Sequence, residues 1–241
     1  PKPLPVSAMS EASDRRDSRA LEPELISDPI RRAEAEAANG LRQYDAGIAL
    51  AQTALERGGF KLRVSQILGL QREALKGISN YAGNFRPGPV EISKSAHTPP
   101  EAHLVPEMVE EMCDYVNDRW SDATPLHLAA FVMWRLNWIH PFADGNGRTS
   151  RIVSYLVLTV RSGFILPGVP SIPDQIANDR SGYFAALDAA DAALRETGQV
   201  DVSAMEDLLA GMLARQLAAF YESAGGRLPE GRGLAGDGRS A

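Results

Sequence analysis

The sequence predicts an all-α bundle. Apolar residues recur at spacings of three and four through most of the chain, two segments are apolar on nearly every side, and strand-like alternation is confined to one short insert.

The elements follow in order. Ser27-Asp28-Pro29 supplies an N-cap and a proline at an early helical position, and the Ala/Glu/Arg-rich run behind it propagates to Ala38. Asn39-Gly40 predicts the end of that first helix. Further helices are predicted at about 42–57, 64–79, 105–118, 125–139, 149–161, 181–194 and 203–221. Gly83 to His103 breaks the helical pattern: it carries four prolines and an alternating Val90-Glu91-Ile92-Ser93, the marks of a short hairpin or an extended loop. Leu126–Ile139 and Ile152–Val160 have no continuous polar face, which predicts neighbouring central helices.

Residues 1–20 hold three prolines and few large apolar side chains, the composition of a mobile arm that cannot offset its ordering entropy. From Ser223 to Ala241 there are six glycines and almost nothing to pack, which predicts a flexible tail. One domain, residues 21–222, is expected between them.

With 241 residues, 44% of them hydrophobic, the chain can bury a sizeable core, so disorder of the whole is excluded. The formal charge, 25 − 31 = −6, argues against nonspecific nucleic-acid binding, which needs many cationic contacts to phosphate. No apolar run approaches the roughly 18 to 20 residues that cross a bilayer. The N-terminus lacks the apolar core of a secretory signal. Cys113 stands alone, with no partner for a disulfide or a thiolate metal site, and a cytoplasmic location is the expectation.

Chemistry concentrates between the two apolar helices, in His140-Pro141-Phe142-Ala143-Asp144-Gly145-Asn146-Gly147-Arg148-Thr149-Ser150-Arg151. Pro141 disfavours helical geometry at His140, while Gly145 and Gly147 permit positive φ and close backbone approach. The next helix begins at about Asn146 to Arg148, so its free N–H groups and positive dipole end point into the loop, which suits it to hold an anion. Arg148 and Arg151 share a helical face and add two cations suited to polyphosphate oxygens. Asp144 offers one carboxylate, too little for a protein cage but suited to Mg²⁺ that takes its other ligands from nucleotide phosphates and water. His140 is the titratable group able to accept a proton near neutral pH.

The string HPFADGNGR matches the HPFx(D/E)GNGR signature of the Fic family at every specified position. NYAGNFR, followed by VEI and HTPP, resembles that family's β-hairpin flap, and the similarity runs from about Ser27 to Tyr221. The resemblance implies a Fic-type helical bundle with a short β-hairpin flap and an activity of protein adenylyltransferase type (AMPylation), moving AMP from ATP to a Ser, Thr or Tyr hydroxyl of a target protein. Within that resemblance His140 is the general base and Asp144 the Mg²⁺ ligand. Gly145, Asn146 and Gly147, with the Asn146 side chain, form the anion hole. Arg148 binds the β-phosphate region and Arg151 the γ-phosphate end. Glycine at 147 favours nucleotidyl transfer over the phosphorylating branch of the family, which has lysine there.

The flap near Val90–Ser93 is the expected docking edge for the target, by strand addition. A homodimer or an inhibitory partner is compatible with the resemblance; nucleic acid and membrane are not expected. Many relatives carry an inhibitory helix with (S/T)xxxE(G/N). Arg32–Gly40 occupies about the right place but departs from that pattern, leaving Glu34 or Glu36 against Arg151 as the only analogue. Two other readings stay open: hydrolytic removal of AMP from a modified protein, and a non-enzymatic nucleotide-binding module of a toxin–antitoxin type pair.

Outside the motif, His97, His103 and His127 have no metal-ligand spacing and read as structural or surface residues. Trp120, Trp134 and Trp138 read as core, and Tyr183 and Phe184 as packing residues before adenine flanks.

Overall fold

Asp28 opens the first long helix. Its Oδ1 accepts the N–H groups of Ile30 (2.9 Å) and Arg31 (3.0 Å), and Pro29 follows where no intrahelical donor is needed. The computed structural model describes residues 25–226 and the backbone of Ser18 and Arg19. The predicted arm otherwise lies outside the described residues, as does the tail beyond Gly226. Among the described residues there are eight helices: α1 Pro29–Arg57, α2 Val64–Leu75, α3 Val105–Asp118, α4 Pro125–Ile139, α5 Asn146–Ser162, α6 Ile172–Asn178, α7 Ser181–Thr197 and α8 Ser203–Ser223. Two short strands, β1 Ser18–Arg19 and β2 Glu91–Ile92, pair antiparallel, with Ser18 opposite Ile92 and Arg19 opposite Glu91.

The central pair is as expected. Trp134, Leu128 and Met133 of α4 and Val153, Val157 and Leu156 of α5 are buried, and Ser154 Oγ of α5 donates to the Ala129 carbonyl of α4 at 2.8 Å. Each such apolar side chain stabilises the fold by about 1.5–3 kcal/mol relative to exposure. Helix α1 lies close on α5 at Gly47, where a Cβ would stand 2.8 Å from Ile152 Cδ1. His127 joins three helices, its Nε2 with Tyr115 Oη at 2.9 Å and its Nδ1 with Glu206 Oε1 at 2.8 Å.

Three readings are corrected. Asn39-Gly40 does not end a helix: α1 runs unbroken because Asn39 is buried and donates through Nδ2 to the Lys76 carbonyl at 2.9 Å, a partner that no local reading supplies. Helix α2 stops at Leu75 rather than 79, since Gly77 turns with φ +72°. The seven-residue α6, capped by Ser171 and Asp174, is too short for apolar periodicity to reveal. The insert at 83–103 is an extended loop, one of the two forms expected, and its one strand pairs with the N-terminal segment at Ser18–Arg19.

Candidate active site

Helix α4 ends because Pro141 follows His140. His140 closes it in the left-handed region (φ 51°, ψ 58°), its N–H donating to the Leu136 carbonyl at 3.0 Å. A side chain in that region costs about 1–2 kcal/mol, so surrounding contacts must hold it. Arg86 does so: buried beneath the loop, it donates from Nε to the His140 carbonyl (2.8 Å), from its backbone N–H to the Pro141 carbonyl (2.9 Å), and from Nη1 to Gly88 (2.8 Å). A further bond to the Pro100 carbonyl ties the other end of the insert to the same guanidinium. Burial lowers the pKa of this arginine from its ordinary value.

Asn146 closes the loop from the other side. Its Oδ1 accepts the Phe142 N–H at 2.9 Å and its Nδ2 donates to the Phe142 carbonyl at 2.8 Å, a two-point clamp on the turn. Gly145 precedes α5 with φ +82°, and a Cβ there would meet Leu75 Cδ2 at 2.4 Å. Gly147, by contrast, is helical rather than at positive φ; its missing side chain leaves space beside Arg151 Nη1, 3.4 Å from where a Cβ would be. Gln71 joins α2 to the site, donating to the Asp144 carbonyl at 3.2 Å and accepting from the Gly83 N–H at 2.5 Å.

The imidazole is 6% exposed. Its Nδ1 lies 3.2 Å from the Asn137 carbonyl, which can only accept, so Nδ1 carries the proton and Nε2 presents a lone pair. Burial, offset by that hydrogen bond, lowers the pKa to about 4, and the Arg86 charge acts in the same direction as burial. The ring is therefore neutral at physiological pH.

His140, Asp144, Gly145, Asn146, Gly147 and Arg148 all line one cavity of about 290 Å³, together with Arg151. The first N–H groups of α5 have no acceptor within the helix, which concentrates positive potential at the same place. The Asp144 carboxylate is partly exposed, 3.4 Å from Arg148 Nη2 and 3.7 Å from Arg32 Nη2. No group of three or more His, Cys, Asp or Glu side chains suited to a metal occurs among the described residues. A lone, accessible carboxylate fits Mg²⁺ held mainly by phosphate oxygens and water.

Several wall residues fall outside the motif. Trp138 lines the cavity, unlike the buried Trp134, and His97 joins it, its Nε2 2.7 Å from the Trp138 carbonyl. Tyr183 and Phe184 are there as well, on α7. Arg180, Asp191 and Asn137 complete that side. Asn137 and Trp138 lie just before His140 on the same helix, where helical phase alone could have shown them; the others come from distant segments. From the flap, Ile92 reaches the cavity while Val90 is buried. Glu36 of α1 lies in the wall and pairs with Arg32 at 3.2 Å, while Glu34 is exposed.

The bundle and the loop between its two innermost helices define an all-α domain built round an HPFx(D/E)GNGR turn. Residues 61–158 match the model of the Fic/DOC family. The chain is similar to protein adenylyltransferase fic-1 of Caenorhabditis briggsae, 33% identical over 141 residues, which cover 56% of this chain and 25% of the relative. It is also similar to protein adenylyltransferase Fic of Drosophila willistoni, 33% identical over 126 residues, covering 52% and 24%. The match thus spans about a quarter of those relatives' length.

The fold resembles two solved structures. A Fic domain containing signaling protein from Bacteroides thetaiotaomicron aligns with TM-score 0.63 at 21% identity, covering 79% of this chain and 74% of that one. Fic-1 from C. elegans, residues 134–508, aligns with TM-score 0.60 at 24% identity, covering 82% and 55%. No helix among the described residues is long and apolar enough to cross a membrane.

Proposed function

We propose that this protein is an adenylyltransferase that moves AMP from ATP to a Ser, Thr or Tyr hydroxyl of a protein. The observation that carries this reading is the imidazole: His140 is fixed by Asn137 in the tautomer that presents Nε2 as a base, inside a cavity shared with the start of α5, Arg148 and Arg151.

In this reading the target hydroxyl gives its proton to His140 Nε2 as its oxygen attacks the α-phosphorus and pyrophosphate leaves. The backbone N–H groups at Gly145–Gly147 stabilise charge on the transferred group, with Asn146 clamping the turn that positions them. Arg148 and Arg151 hold the β- and γ-phosphates. Asp144 holds Mg²⁺, which neutralises phosphate charge when bound. The space at Gly147 supports a nucleotide laid for AMP transfer, since a long side chain would crowd Arg151. The flap supplies backbone for the target segment at Glu91–Ile92. A lone buried Cys113 fits a reducing compartment, and we place the activity in the cytoplasm.

The test is incubation of the purified chain with α-labelled ATP and Mg²⁺ in lysate. Label transferred to protein, absent with His140→Ala while ATP binding persists, is the expected result. Equal labelling by the His140→Ala variant would overturn it.

A further inference from the structure

We propose that Ser150 is a positioning residue for the transfer: it locks the helix that carries the phosphate cradle to the helix that carries the base. The inference rests on the adenylyltransferase reading. Ser150 lies one turn into α5 and is fully buried. Its hydroxyl donates to the Gly147 carbonyl at 3.0 Å, within the turn that opens the helix. Its oxygen accepts from Asn137 Nδ2 of α4 at 2.8 Å. Tyr183 Oη of α7 lies 3.4 Å away and is the donor in that contact, because the Ser150 proton is already given to a carbonyl. Asn137, Gly147 and Tyr183 all line the cavity, so one buried hydroxyl ties together three parts of its wall.

Asn137 brings this tie to the chemistry, because the same residue holds the base. Its carbonyl accepts from His140 Nδ1 at 3.2 Å while its side-chain amide reaches Ser150. That amide also donates to the Met133 carbonyl at 2.6 Å, which fixes it against its own helix. The groups proposed to hold the phosphates, Gly145–Gly147, Arg148 and Arg151, belong to the cap and first turns of α5, whereas His140 closes α4. A shift of α5 along α4 therefore carries the nucleotide with it and leaves those contacts whole, but moves the α-phosphorus relative to His140 Nε2. A misplacement of about 1 Å between reacting groups costs on the order of 100-fold in rate. Ser150 takes part in no bond that forms or breaks; it sets where the reacting groups meet. The neighbouring hydroxyl supplies a contrast. Thr149 is as deeply buried on the same turn, yet its Oγ1 has no hydrogen-bond partner among the described residues.

The experiment compares Ser150→Ala, Asn137→Ala, the double variant and Thr149→Val with the native chain. Two quantities are measured: transfer from α-labelled ATP with Mg²⁺ to lysate protein, and calorimetric titration with ATP. For Ser150→Ala the rate at saturating ATP should fall about tenfold or more, while the dissociation constant for ATP changes less than about twofold. Asn137→Ala keeps the carbonyl that bonds His140 and should lose rate in the same way, with the acid limb of its pH profile unmoved. The double variant should fall no further than the slower single one, because both remove one bond. Thr149→Val should transfer at the native rate. A native rate in Ser150→Ala, a loss of ATP affinity as large as the loss of rate, multiplying effects in the double variant, or an equal loss in Thr149→Val each overturns the proposal. If Ser150→Ala does not fold, the partly exposed Asn137→Ala carries the test alone, and a native rate or a matching loss of ATP affinity there overturns it. All of these outcomes leave the adenylyltransferase reading standing. If the native chain gives no His140-dependent label, the reading and the proposal fall together.

Discussion

The Asn137 carbonyl oxygen sits 3.2 Å from His140 Nδ1, one helical turn before the residue that ends α4. Because a carbonyl has no proton to give, this contact fixes the tautomer that leaves Nε2 without a proton, on a residue that lines the cavity. A main-chain atom therefore does the orienting, and no side-chain substitution at 137 can remove it.

The depressed pKa of His140 sets a pH dependence. Its folded value, about 4, lies below the ordinary 6.5. His140 stays unprotonated through that interval, and under the proposed function kcat/KM for AMP transfer should begin to fall only well below pH 6.5. The unfolded chain binds more protons between the two values, so the contribution to stability is present above pH 6.5 and is lost as pH falls toward 4. Its size is on the order of 3 kcal/mol. Histidine-resolved NMR titration checks the first statement; denaturant midpoints against pH, flattened in His140→Gln, check the second.

Arg86→Lys keeps a charge but loses the planar fork that bonds His140, Gly88 and Pro100 together. A loss of about 1.5–3 kcal/mol is expected in urea unfolding. Under the proposed function the same variant should lower kcat more than it raises the KM for ATP, because the guanidinium bonds the backbone of His140, the proposed base.

Gly145→Ala combines a side chain at φ +82° with a contact to Leu75 Cδ2. Destabilisation of about 1–3 kcal/mol is expected from the backbone alone. Adding Leu75→Ala should recover only the steric share, and a double-mutant cycle on thermal unfolding separates the two.

Asn146→Ala removes both bonds to the Phe142 backbone and leaves that buried N–H and carbonyl without these partners. Each lost bond costs about 1–3 kcal/mol. Calorimetric ATP titration should show weakened binding along with reduced stability.

Deleting residues 1–19 exposes the edge of β2 and should raise the initial rate at which added protein targets are labelled. Comparison with the full chain at equal concentration measures this. An unchanged rate would show that the segment does not compete.

Much of the site was legible because its residues are consecutive. His140 through Arg151 form one turn and one helix start, and proline, glycine and arginine chemistry at fixed offsets is enough to place them. The α4–α5 core was legible for a related reason, since residues apolar on all sides can only be central. What escaped depends on partners far along the chain. Asn39 would stop a helix but for the carbonyl of Lys76, and Arg86 gains its role only when the backbone of residues 88, 100 and 140 converges on it. β1 escaped because two residues carry no periodicity.

The continuity of α1 limits how the cavity can open. At 1.5 Å per residue its 29 residues make a rod of about 43 Å, pinned near its middle by the close approach of Gly47 to Ile152. Such a rod has no hinge at Asn39-Gly40. With the backbone held in this way, Arg32 and Glu36 withdraw from Asp144 and the cavity wall by turning their side chains, and any wider opening on this side needs the leading turns to unwind or the entire helix to slide across α5.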